Sequence, residues 1–145
     1  MLSESGVLER IAMAVRPVYY HAFGSKAGQQ GLQGETSKGY SVDGKTFIVV
    51  EVENLPQRTE PDGTTVPLGE ILVEGTIGGR SWFDLCRIRQ NGVFNLATLV
   101  ASEAAGRTPG VLNGPSKISV YKIRFTVTKL PRESEPVRVT VLGTN

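Results

Sequence analysis

At 145 residues, with 39% hydrophobic and 21% charged residues and a formal charge of +2, the chain has the size and balance of one globular domain with its own core. No apolar run is long enough to span a bilayer, and the lone cysteine, Cys86, excludes an intrachain disulfide framework and a multi-cysteine zinc site. The opening MLSESGVLER places Glu4 and Glu9 where a secretory signal would carry basic charge, so synthesis in the cytoplasm is expected, with or without later release in a particle.

Ser3 or Ser5 can cap a helix running to about Val15, with Leu8, Ile11, Ala12 and Val15 on one stripe, and Pro17 ends it. VYYHAF, residues 18–23, is aromatic and extended. FGSKAGQQGLQGETSKGY follows, with five glycines between Gly24 and Gly39 and little apolar material except Leu32. Such a composition buries too little surface to offset the entropy of ordering. It predicts an arm held by a neighbouring subunit, anchored by Tyr19, Tyr20, Phe23 and Leu32, with hydrogen bonds from Gln29, Gln30 and Gln33. Residues 1–39 are accordingly expected to form a helix-plus-arm for inter-subunit contacts, and residues 40–145 a single β domain.

From Tyr40 the apolar period is two. Asp43-Gly44 suits a tight hairpin turn, and Thr46 to Glu53 is a β-branched strand that ends before Pro56. Residues 54–69 make a long polar loop. In GEILVEGTIGGRSWFDLCRI, a two-residue loop at Gly78-Gly79 predicts Ile77 opposite Arg80, Gly75 opposite Trp82, Leu72 opposite Leu85 and Glu70 opposite Arg87. That register covers the bare backbone of Gly75 with Trp82 and pairs Glu70 with a cation. It also sets Cys86 opposite Ile71.

Asn91-Gly92 is a turn, and Asn95 can cap a helix with Leu96, Leu99 and Val100 on its buried side and Gly106 at its end. Residues 106–116 are a second Gly/Pro-rich loop. In SKISVYKIRFTVTKL, Tyr121, Ile123, Phe125 and Val127 share one face while Lys122, Arg124, Thr126 and Thr128 share the other. PVRVTVLG follows as the last strand. Sustained alternation means a sheet buried on one side. The fold class predicted is mainly β, an antiparallel sandwich or partly closed barrel. It carries one short internal helix and is preceded by the N-terminal helix and the extended glycine-rich arm.

Candidate chemistry is sparse. His21 is the sole histidine and reads as a packing or partner contact; Cys86 reads as a small core residue. Glu51 with Glu53, and Glu70 with Glu74, share strand faces and read as the wet side of a sheet. Asp84 would need a partner such as Arg80 if it shares the apolar Trp82–Cys86 face. Phosphate-loop, nucleophile-elbow, HExxH and EF-hand patterns are absent from the sequence. No enzyme, cofactor or metal is therefore expected.

Residues 117–145 carry six basic residues against Glu133 and Glu135, a surplus of four, leaving the rest net negative by two. Lys122, Arg124, Lys129 and Arg138 could form a face for nucleic acid or for an acidic partner. Tyr121 and Phe125 alternate with these charges, so that face is expected to lack a stacking platform. The expected function is a non-enzymatic structural subunit of a large symmetric assembly. The class in mind is a virion protein of a phage or other virus: capsid decoration or coat, head–tail connector or tail-tube component. Its expected partners are copies of itself or another virion protein, with nucleic acid possible and no membrane. The alternative is a nucleic-acid-binding β-barrel module.

Overall fold

The computed structural model describes residues 16–24, 29–104 and 120–145. The helix expected before Pro17, residues 25–28, and the loop at 106–116 with Gly106 lie outside the described residues. The architecture is mainly β and antiparallel. One four-stranded sheet has the order β1 (Val18–Phe23), β10 (Arg138–Thr144), β3 (Phe47–Glu53), β8 (Gly92–Asn95). The other has the order β2 (Tyr40–Ser41), β9 (Lys122–Lys129), β6 (Glu70–Thr76), β7 (Phe83–Ile88). A two-stranded ribbon, β4 (Gln57–Thr59) with β5 (Thr65–Pro67), stands apart from both.

The two large sheets are the layers of a sandwich. Alternation in β3, β9 and β10 sends Val50, Val52, Ile123, Phe125, Val127, Val139 and Val141 into one shared core, all at most 1% exposed. Phe23 and Phe125 are its largest members, each contributing about 1.5–3 kcal/mol by leaving water. The chain crosses between layers repeatedly. Asp43-Gly44 makes a turn, closed by Lys45 N–H donating to the Val42 carbonyl, but it carries the chain from the second sheet to the first instead of joining a hairpin. Asn91 makes another crossing: its side-chain amide bonds both the N–H and the carbonyl of Leu55, in place of a strand partner.

The single helix among the described residues, α1 (Leu96–Ala104), begins as expected, with Asn95 Oδ1 accepting from Thr98 N–H. Leu96 and Val100 are fully buried and Leu99 is half-buried. The helix closes one side of the sandwich against β3, β7 and β8. Glu103 on it accepts the outward-facing N–H of Arg87 at 2.8 Å, which blocks the free edge of β7.

One expectation needs correction. In the β6–β7 hairpin the loop spans residues 77–82, with Gly79 N–H donating to Thr76 Oγ1 and Gly79 at φ +81°. Val73 lies opposite Cys86 and Gly75 opposite Phe83, with a bulge after Val73. Leu85 is the extra residue, so Leu85 and Cys86 both point inward and both are fully buried. The bulge turns Asp84 outward, where it is exposed and ion-paired with Arg87 at 3.3 Å. Trp82 covers Gly39, not Gly75.

The described part of the glycine-rich stretch runs along its own sheet. Residues 29–39 are stitched to their own chain: Gly34 N–H donates to the Val127 carbonyl, Val127 N–H to Glu35, Ser37 N–H to Phe125, and Val137 N–H to Gly31. They extend β2 irregularly along β9, with a bridge at Thr36–Thr126. β1 is likewise the edge strand of the first sheet. By contact, the described part of residues 1–39 is continuous with 40–145.

Candidate assembly surface

Both sheets present an outer face, and the two differ in chemistry. On the second sheet the face is a connected polar network. Glu70, 6% exposed, accepts from Thr128 Oγ1 at 2.8 Å and from Arg89 Nε at 2.9 Å, with Arg87 Nε at 3.5 Å. Burial pushes the Glu70 carboxyl upward, but the Thr128 hydroxyl and the Arg89 and Lys129 charges outweigh it and hold the group below its ordinary range. Glu74 accepts Arg124 through both carboxylate oxygens, and the Arg124 guanidinium lies 4.3 Å from the Trp82 ring centroid.

The outer face of the first sheet is built differently. Cross-strand register sets Tyr19, Leu142, Val49 and Asn95 in one row across β1, β10, β3 and β8. The next row is His21, Thr140, Glu51 and Val93; beyond it Arg138 lies beside Glu53, and at the other end Thr144 beside Phe47. Tyr19 is 61% exposed, Phe47 51%, Val93 65% and Leu142 38%. A half-polar sheet face normally places polar groups at these positions. Here β3 and β10 each carry apolar residues at one end and charge at the other. A recess of about 230 Å³ opens between Tyr19, His21, Glu51, Glu53, Arg138 and Thr140.

Of the residues predicted to contact a partner, Tyr19 and Leu32 are exposed and Gln30 faces solvent. Phe23 is in the core at 1% exposure and offers no surface. Tyr20 is half-buried; its hydroxyl donates to the Ser41 carbonyl and its ring lies 4.9 Å from that of Tyr40. Gln29 bonds the Thr36 carbonyl and the Lys38 N–H, and Gln33 bonds the Thr128 carbonyl, so both are engaged within the chain. His21 stands edge-on to Tyr19, ring centroids 4.9 Å apart, on the outer face of the first sheet.

The predicted basic face is divided. Lys122, Arg124 and Lys129 are on β9 in the second sheet, whereas Arg138 is on β10 in the first. Tyr121 precedes β9, is 42% exposed, and has Lys122 Nζ 5.3 Å from its ring centroid; the expectation that it points inward with Phe125 is corrected. Glu51 and Glu53 are outward as expected.

The residues that sequence reasoning missed are Phe47, Val49 and Leu142. Their signal is in FIVVEVE and RVTVLG, where the half of the alternation that should be polar is apolar near one end. Among the described residues no cluster of three His, Cys, Asp or Glu side chains could hold a metal ion, and no helix is long and apolar enough to cross a membrane. No protein-family model matches the chain, and no curated protein matches it.

Proposed function

We propose that the chain is a non-enzymatic structural subunit of a large symmetric assembly, of the kind that builds the particle of a bacteriophage or other virus. Decoration or coat, head–tail connector and tail-tube positions all fit a small rigid β body. The observation that carries this is the apolar group Tyr19, Leu142, Val49 and Phe47 on one sheet face, with Tyr19, Leu142 and Phe47 exposed and Val49 half-buried among them. Contiguous apolar surface on a folded chain marks a place where another molecule sits. The ribbon at residues 57–67 adds a second element suited to reaching a neighbour. It stands off both sheets, with Arg58 and Glu60 paired across 2.8 Å and Asp62 closing its turn through Thr64 N–H. The glycine-rich stretch, bound along β9, is not among the contacts proposed.

Light scattering behind a sizing column tests the proposal on the full chain. A discrete oligomer or a large particle is expected. A monomer at every concentration reached overturns it.

Nucleic-acid binding is a second reading with one specific observation in its favour: the Trp82 ring lies on the same face as Lys122 and Arg124. Against it, Arg124 is held by Glu74 and Arg138 is on the other sheet. Binding of a single-stranded oligonucleotide that weakens steeply with salt would support it.

A further inference from the structure

We infer that the outer face of the first sheet binds the same face of a second copy, about a two-fold axis that runs along the strands between β10 and β3. This rests on the assembly reading above and specifies one of its contacts.

Register decides the pairing. An isologous contact places each residue against the residue that the axis exchanges with it. An axis between β10 and β3 exchanges those two strands, so each β10 side chain meets the β3 side chain that is its lateral neighbour within one chain. Leu142 then lies on Val49 of the second copy, Thr140 on Glu51 and Arg138 on Glu53. These three pairs are apolar on apolar, hydroxyl donor on carboxylate, and cation on anion, and the fourth sets half-buried Thr144 on exposed Phe47 at the apolar end. Each occurs twice.

The face is self-complementary because its charge is divided by strand. Arg138 is on β10, the carboxylates Glu51 and Glu53 are on β3, and the apolar ends of both strands coincide. The competing isologous arrangement has its axis in the plane of the face and across the strands. It would lay Glu53 toward Phe47 and Glu51 toward Val49, burying carboxylates on apolar surface with no cation or donor of the second copy opposite them. The register therefore selects the axis as well as the face.

The seam has a suitable shape. Side chains on the outer face of β10 alternate between exposed and half-buried, so across the axis exposed Leu142 meets half-buried Val49 and half-buried Thr140 meets exposed Glu51, while Arg138 and Glu53 are both exposed. Four strands about 4.8 Å apart and roughly seven residues long project on the order of 400 Å² per copy. Two such faces lie near the low end of specific interfaces, so the contact alone gives a dimer that dilution dissociates.

The test uses three full-length variants, each altered on the outer face, with circular dichroism to check the fold and light scattering over a dilution series to read the mass. Leu142→Glu is expected to shift the dilution midpoint at least tenfold toward monomer. Arg138→Glu sets two carboxylates together on each side of the axis, and Glu53→Arg sets two guanidinium groups together there, so each alone is expected to weaken self-association. Mixed in equal amounts, these two variants are expected to recover it, because every contact in the mixed dimer joins opposite charges. Recovery on mixing cannot come from pairing within one chain. An oligomer whose mass is unchanged by Leu142→Glu, or two charge variants that fail to recover on mixing, overturns this interface and leaves the assembly reading standing. A wild-type chain that is monomeric throughout overturns both.

Discussion

The backbone N–H of Phe125, a fully buried residue, donates to the side-chain hydroxyl of Ser37 at 2.9 Å, across 88 residues of sequence. The same hydroxyl donates onward to the Lys38 carbonyl at 2.8 Å, and Ser37 N–H donates back to the Phe125 carbonyl at 2.7 Å. One serine thereby supplies the ladder bond that a regular edge strand would supply with its main chain. Ser37→Ala should cost about 1–3 kcal/mol, the usual penalty for a buried donor left without an acceptor. Urea unfolding of the two proteins measures it. Ser37→Thr, which retains the hydroxyl, should lose less.

The same geometry predicts what truncation does. Removing residues 1–39 takes away β1, with Ala22 and Phe23 from the core, together with the segment that satisfies the β9 edge. The product should fail to fold cooperatively, visible as a lost near-ultraviolet signal and no thermal transition. A cooperatively folded 40–145 fragment would contradict this packing.

Gly31 passes so close to Val137 that a Cβ would run into the Val137 carbonyl oxygen, while Gly31 accepts Val137 N–H at 2.9 Å. The contacting atoms are main chain, so no flexible side chain can yield. Gly31→Ala should destabilise by roughly 1–3 kcal/mol, in the range of other overpacking substitutions. Faster hydrogen exchange at the Val137 amide than in the wild type would locate the damage. Unchanged exchange there would mean that the crossing at Gly31 does not hold the segment.

Why was this segment opaque in the sequence while β3, β9 and β10 were plain? Those strands are buried on one side, and their alternation is a local property of the chain. The stretch from Gln29 to Gly39 has no periodicity because its order comes from elsewhere. Ser37 meets the Phe125 main chain, Gly31 meets Val137, and Gly39 lies under the Trp82 ring, 2.9 Å from where a Cβ would stand. Composition says that it could not order itself; it does not say what orders it. The β6–β7 register failed for a related reason, since nothing near Gly78-Gly79 announces that Leu85 and Cys86 will both turn inward. The apolar seam was legible in principle at Phe47, Val49 and Leu142, but only once register had shown that they adjoin.

Cys86 gives a check on the bulge. With Leu85 beside it and Val73 opposite, the side chain is fully buried and should not react with a thiol reagent in the native protein. Reaction should appear in step with unfolding as urea is raised. Rapid labelling under native conditions would mean that β7 turns Cys86 to the surface.

Glu70 supplies the pH test. Its carboxyl is driven up by burial, yet the hydrogen bonds from Thr128 and Arg89 and the charges of Arg89 and Lys129 bring it below the ordinary value of 4.5. A group held lower in the folded state than in the unfolded state contributes stability that is complete above its unfolded value. That contribution is lost as pH falls through the folded value. Glu70→Gln keeps the shape and much of the Thr128 bond but removes the charge that Arg87 and Arg89 face, and should cost about 1–3 kcal/mol near pH 7. Unfolding free energies for both proteins from about pH 7 down to about pH 3 should converge only below about 4.5, near the ordinary value of a free glutamate. The carboxylates common to both chains cancel in that difference. A gap that stays constant over the whole range would show that the charge on Glu70 contributes nothing and that the variant is weakened by packing alone.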